Sequence, residues 1–369
     1  MEVKKELSDF KKRLDRELAV FFEEEKKRAE KVDKTAVWLV ERLAEFTLRG
    51  GKRLRPAFLY WGYKACGGKE EKEIMKICLA VELTESWVLI ADDLMDKDER
   101  RRGRPSVHIL FEKEAGKLGV VERKHFGMVG AILVSFLGMQ MVDRLIIGSG
   151  FSDDKKLLVL GKLKELLMQV FFGQMMDVVV SKRSERFNEK MIKKITEYKT
   201  AKYTVELPLV LGGLLAGKKE KELVFFKKYG KYLGEAFQLK DDILGISGDP
   251  RRTGKSVLSD MREGKKTLLA LLALKNLQLI TPTCAKASAG RYNLKLRKFK
   301  KIWGNQKAGV RELRWIRKIF EETGVQEEVM ERARNLVLEA KKEIKRVFLE
   351  REGKQFLMKV TDFVIEREK

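Results

Sequence analysis

An all-α, single-domain chain of long helices over 1–369 is predicted by three observations. Apolar residues recur every three or four positions nearly throughout. Period-two alternation bounded by turns is scarce, so no sheet is expected. Prolines number only 5, and four of them (Pro56, Pro105, Pro250 and Pro282) fall where helices begin, end or yield to loops.

The elements follow in order. Val3, Leu7, Phe10, Leu14, Leu18 and Phe21 make one apolar stripe among Lys and Glu, which predicts an amphipathic first helix. Gly50-Gly51-Lys52-Arg53-Leu54-Arg55-Pro56 reads as a glycine turn with a basic flank. The run Trp87-Val88-Leu89-Ile90-Ala91 leads into Asp92-Asp93-Leu94-Met95-Asp96, and Arg100-Arg101-Arg102-Gly103 follows closely. Phe126 to Val142 is the longest uncharged run. It is short for a membrane span and reads as a buried helix. Pro208, inside Thr204-Val205-Glu206-Leu207-Pro208, should kink its helix and free the Thr204 carbonyl. Residues 281–290 are rich in small residues and aperiodic, so an exposed loop is expected there. Val329, Ala333, Leu336, Ala340, Ile344 and Val347 define a late amphipathic helix.

Composition narrows the function classes. At 44% hydrophobic and 36% charged, the chain can bury a large core and is not disordered. Its net charge of +24 implies an anionic partner: nucleic acid, acidic lipid or a diphosphate ester. The positive charge reads as spread rather than blocked, and no groove-reading or base-stacking motif is present, so no nucleic acid partner is expected. Cys66, Cys78 and Cys284 show neither metal spacing nor a disulfide framework, which predicts a reducing, cytoplasmic setting. His108 and His125 are too few for a histidine metal site.

Two acidic patterns carry the chemistry. The second, Asp241-Asp242-Ile243-Leu244-Gly245, follows Ala236-Phe237-Gln238-Leu239. Carboxylates in core-forming sequence are costly to desolvate and persist where cations compensate them. Asp92 and Asp96 lie four apart on a helix, with Cβ atoms roughly 5–6 Å apart. Such a pair suits Mg²⁺, a hard ion that completes its shell with water and substrate phosphates. Asp93 points elsewhere. The arginine forks after the first pattern suit phosphate oxygens. Lys199-Thr200 and Tyr203-Thr204 sit one turn before the expected kink, and Gly173-Gln174-Met175-Met176-Asp177 sets an amide and a carboxylate on one helical face. Lys255 and Lys265 flank Asp260, and alone would read as surface lysines.

Taken in order, GGKRLRP, DDLMD with RRRG, GQMMD, YKTAKYT, FQLKDD and the TGK…DMREGKKT tail resemble the trans-isoprenyl diphosphate synthases, the polyprenyl synthetase family. The resemblance covers nearly the whole chain. It implies an all-α fold around a deep central cavity, a homodimer, and condensation of isopentenyl diphosphate with an allylic diphosphate. It further implies Mg²⁺ held by Asp92, Asp96 and Asp241. The allylic diphosphate would meet Arg101, Lys199, Lys255 and Lys265, and isopentenyl diphosphate would meet Lys52, Arg55 and Arg102. Lys199, Thr200 and Gln238 would serve the reacting carbons. Trp87 lies about 7.5 Å along the helix from Asp92. With the smaller Val88, it would form a floor that limits the product to geranylgeranyl or farnesyl length.

Three departures stand out. Gly245 replaces a third aspartate, Glu85 stands where a His or Gln is common, and Phe136 stands where an Asp is common. Three rivals are a non-catalytic regulatory subunit of the same fold, a basic nucleic-acid-binding protein, and a head-to-head or cyclising terpenoid enzyme. GGKRLRP argues against the last, since the resemblance makes it a second diphosphate site. Contact of the basic surface with an anionic membrane is a further expectation.

Overall fold

Helices dominate the computed structural model, which describes residues 2–182, 187–248, 257–283 and 286–367. The first seven are α1 (Glu2–Glu30), α2 (Lys34–Leu48), α3 (Leu54–Ala65), α4 (Glu71–Met95), α5 (Val107–Lys117), α6 (Arg123–Ile147) and α7 (Asp153–Lys182). Next come α8 (Glu189–Thr196), a π-helical stretch over Glu197–Glu206, α9 (Leu207–Leu215), a 3-10 turn at Glu220–Leu223 and α10 (Val224–Ser247). The last six are α11 (Ser259–Glu263), α12 (Leu268–Thr283), α13 (Lys286–Ile302), α14 (Val310–Glu322), α15 (Val325–Lys345) and α16 (Arg351–Glu366). The packing falls into two compact units. One is Met1–Lys164, Leu207–Val224 and Phe348–Lys359; the other is Glu165–Glu206, Phe225–Val347 and Val360–Lys369.

In the first unit, α1 buries Leu7, Phe10, Leu14 and Leu18 as its periodicity predicts, then Phe22 in place of Phe21. α4 is buried on almost every side, which explains why its apolar residues follow no single stripe. Trp61 of α3 stacks on Phe356 of α16 with ring centroids 3.8 Å apart. Fully buried Phe46, Phe58 and Phe111 each contribute about 2–3 kcal/mol of apolar burial.

Four expectations need correction. α6 is not fully buried: Met128, Val129, Leu133 and Phe136 are exposed, while Gly130, Ala131, Val134 and Gly138 face α4 and α5. Length and composition alone would let this helix cross a membrane. The described residues also include a sheet, a two-residue antiparallel ladder pairing β1 (Arg100–Arg101) with β2 (Arg104–Pro105). Arg102 and Gly103 between them take positive φ of 52° and 76°, the two-residue turn that suits a twisted hairpin. The loop expected at 281–290 is helical backbone through Thr283 and again from Lys286, with 284 and 285 outside the described residues. Small residues break periodicity without breaking a helix. Finally, the positive charge is concentrated: 294–318 holds ten Lys or Arg and one acid, Glu312.

In the second unit, Val329, Ala333, Ala340 and Ile344 of α15 are buried as expected, with Val337 rather than Leu336 beside them. The π-helical stretch ends two residues before Pro208, where a proline removes an amide donor and perturbs the preceding turn. Cys66 and Cys78 are free and buried, and burial pushes the Cys66 thiol up to about 12. Cys284 lies outside the described residues.

Candidate active site

The first unit brings an acidic and a basic group to neighbouring positions. α4 ends at Asp96, whose amide donates to the Asp92 carbonyl at 2.8 Å. Both carboxylates therefore sit in the last turn, where the helix dipole is negative and a cation is favoured. Asp92 and Asp96 are half-buried, while Asp93 is fully buried. Asp93 receives Nε of Arg101 at 2.6 Å. Arg101 also lies 3.5 Å from Asp92 and 3.4 Å from Asp98. Burial alone would depress its pKa, but Asp93, Asp92 and Asp98 outweigh that and hold it charged. Arg101 thus buttresses the acidic turn, and its fork is already engaged with carboxylates.

The glycine turn folds around an arginine that sequence reasoning passed over. Arg53 takes a positive φ of 53° and is buried. Its Nε donates to Asp15 at 2.9 Å, Nη2 donates to the Thr47 carbonyl at 2.8 Å, and Nη1 pairs with Glu82. Burial opposes the charge of Arg53, and Glu82 and Asp15 overcome it. The signal was its position between Lys52 and Arg55, but only the fold shows which of the three turns inward. Arg55 is paired with Glu85 at 2.9 Å, so the unexpected carboxylate is neutralised rather than facing an anion alone. Arg102 is half-buried beside the Phe46 carbonyl, 3.5 Å from its Nη1, and burial lowers its pKa. Lys52 is half-exposed. Trp87 is buried on α4. Its carbonyl accepts from Ser135 Oγ at 3.0 Å, and a side chain at Gly138 of α6 would start 2.9 Å from its Cβ. Val88 is half-buried beside it.

The second unit assembles a charged cluster from four segments. Asp241 and Asp242 lie on α10, Asp260 on α11, Asp177 on α7 and Lys199 in the π-helical stretch. Lys199 Nζ donates to Asp177 at 2.8 Å. Lys265 lies 3.7 Å from Asp260 and 4.0 Å from Asp242. Asp260 most of all, then Asp242 and Asp177, raise the Lys265 pKa against the pull of burial. Asp242 is pushed up to about 7, first by burial and then by Asp260 and Asp241. Gln238 donates to it at 2.8 Å, so this amide is tied to the acidic pattern one turn on. Asp241 is more open, and one of its oxygens lies 2.6 Å from Nη2 of Arg367. Thr200 is half-buried, and Gln174 Nε2 is buried with no hydrogen-bond partner among the described residues. Lys255 lies outside the described residues.

The missing third aspartate has a local cause. A side chain at Gly245 would start 2.2 Å from Asp260 Oδ2. Real Cβ atoms do not come that close, so glycine makes room for a carboxylate arriving from another helix. Asp260 was named in the sequence only as a neighbour of two lysines. Its approach to α10 is a tertiary fact.

The polyprenyl synthetase family model matches residues 36–298, well over half the chain and every motif named above. The chain belongs to the polyprenyl synthetase family. It is 30% identical over 331 residues to a geranylfarnesyl diphosphate synthase of Aeropyrum pernix, covering 87% of this chain and 91% of that one. It is 33% identical over 231 residues to a short chain isoprenyl diphosphate synthase of Methanocaldococcus jannaschii, covering 62% and 64% respectively, so less than two thirds of that relative is matched. The fold resembles a crystal structure of a Corynebacterium glutamicum geranylgeranyl pyrophosphate synthase complexed with isoprenyl diphosphate and magnesium. The TM-score is 0.89 and the identity 26%, covering 98% of this chain and 99% of that one.

The donor chemistry of this polyprenyl synthetase fits Mg²⁺. Asp92, Asp96 and Asp241 offer hard carboxylate oxygens, with no thiol or imidazole among them. Asp242 is raised first by burial, with Lys265 opposing and Asp260 and Asp241 adding to it, so further positive charge beside the second pattern would favour its ionised form. Among the described residues, no three His, Cys, Asp or Glu side chains already form a closed metal cage.

Proposed function

We propose that this chain is a short-chain trans-prenyltransferase. It condenses isopentenyl diphosphate with an allylic diphosphate to give geranylgeranyl or farnesyl diphosphate. The observation that carries this reading is the presence of two acidic patterns and a lysine cluster in a chain whose family match spans them all. That match crosses both compact units, which supports one working domain over 1–369.

Asp92, Asp96 and Asp241 would hold Mg²⁺, which when bound offsets the charge that builds on a departing diphosphate. Lys199, Lys265, Lys255 and Arg101 add fixed positive charge for the allylic diphosphate. Asp177 holds the Lys199 ammonium, and Asp260 with Asp242 holds that of Lys265, so neither lysine must reorganise as the bond breaks. Lys52, Arg55 and Arg102 would receive isopentenyl diphosphate. Thr200 and Gln238 present dipoles rather than bases to the carbocation. The proton then leaves to the departing diphosphate, so no histidine is required. Trp87, with Val88, closes the tail end of the site. The enzyme is cytoplasmic and works as a homodimer through the exposed apolar face of α6. Contact with an anionic membrane belongs to the same reading.

The test is a product assay with labelled isopentenyl diphosphate and allylic primers, using the purified chain alone. The expected outcome is Mg²⁺-dependent C15 or C20 product, lost on chelation. Asp92→Asn should lower kcat by at least about 100-fold. Trp87→Ala should lengthen the products; unchanged products would remove Trp87 from the floor. No turnover under any primer would favour the regulatory-subunit reading instead.

A further inference from the structure

The block of positive charge in the second unit has a defined surface. α13 exposes Leu294, Arg297, Lys298 and Lys301, which are spaced three, four and seven apart and so share one face. Phe299 and Ile302 of the same helix are buried. α14 exposes Val310, Arg311, Arg314 and Lys318, and buries Leu313, Ile316 and Phe320. The two exposed faces adjoin: Lys298 Nζ sits 4.6 Å from the ring centroid of Trp315, and Lys295 pairs with Glu322 at 2.7 Å. Lys295 and Arg317 turn to protein partners, Arg317 donating to the Ile246 carbonyl at 2.7 Å. Glu312, the sole acid of 294–318, is used to cap α14 through the Gly309 amide. What remains outward over 294–318 is cationic, with exposed Glu321 at the end of the α14 stripe and apolar Leu294 (66% exposed) and Val310 (60% exposed) in the same two stripes.

We propose that this α13–α14 face docks the protein on the surface of an anionic lipid bilayer. Basic side chains at an anionic membrane surface each add to the attraction, and clusters of four to eight suffice for docking. Exposed aliphatic side chains among them enter the headgroup boundary, which a purely electrostatic partner would not use. Nucleic acid is the weaker occupant. The ring face of Trp315 is already covered by Lys298, and among the described residues of 294–318 no other aromatic is exposed for base stacking. The inference extends the prenyl-transfer reading, whose product carries a long apolar tail, but binding needs no turnover, so either can fail alone.

The experiment is co-sedimentation of the full chain with vesicles. One set is one-third phosphatidylglycerol in phosphatidylcholine and the other is phosphatidylcholine alone. The protein should bind only the anionic set at about 0.1 M salt and release as salt rises. The triple variant Arg297→Glu, Lys301→Glu, Arg314→Glu should bind at least about 100-fold more weakly. The charge-matched control Lys4→Glu, Lys5→Glu, Arg16→Glu on α1 should bind like the parent. Leu294→Asp should weaken vesicle binding several-fold while leaving retention on heparin within about two-fold. Circular dichroism and turnover of short soluble substrates should be unchanged in all variants. Three results would overturn the proposal: no binding by the parent, equal losses in the two triple variants, or loss of duplex RNA binding by the α13–α14 triple with vesicle binding intact.

Discussion

At the scale of single residues, the site is governed by which charges are already paired. Glu85 neutralises Arg55 at 2.9 Å, so a guanidinium expected to receive diphosphate is shared with a carboxylate. Glu85→Gln should release it and lower KM for isopentenyl diphosphate by roughly 3–10-fold, with kcat little changed. Steady-state kinetics decides this, and a raised KM would show that Glu85 instead orients Arg55. Gly245 is the second case. Restoring an aspartate there should destabilise the fold by about 1–3 kcal/mol, because its Cβ meets Asp260 Oδ2 at 2.2 Å. Thermal unfolding should recover when Asp260→Ser is added, and a Gly245→Asp protein as stable as the parent would refute the clash. The acidic patterns themselves were legible as strings. Their partners were not, since Arg53 with Asp15 and Gly245 with Asp260 join segments whose proximity no local pattern records.

At the scale of elements, the π-helical stretch places Lys199. Gly173 of α7 lies against it, and a side chain there would start 2.7 Å from the Lys199 amide nitrogen. Gly173→Ala should push this backbone away, move the ammonium off Asp177 and lower kcat by about 10–100-fold. Helical content by circular dichroism should hold, which separates misplacement from unfolding. Pro208 announced a disturbed helix, because a proline without an amide must disrupt the turn before it. That the disturbance takes π form, and that it meets Gly173, follows from packing. The same distinction applies at 281–290, where small residues hid helical backbone.

At the scale of the whole molecule, exposed apolar and basic surfaces remain for partners. Phe136 is 57% exposed on α6, in a position where the family resemblance led us to expect an aspartate. If α6 forms the homodimer face, Phe136→Asp should shift the protein from dimer to monomer by light scattering coupled to size exclusion. A dimer of unchanged stability would move the interface elsewhere. The +24 charge pointed to an anion, and within 294–318 much of it lies on the exposed faces of α13 and α14.

Helical class and family membership were determined by sequence alone. The first rests on periodicity within each helix and the second on short motifs in a fixed order, and both are written in local strings of residues. Tertiary structure alone decided which arginines turn inward, why position 245 lacks a side chain, how Lys199 is held and where the cationic stripes adjoin. Those outcomes turn on ångström-scale approaches between distant segments, where burial and pairing outweigh any local preference.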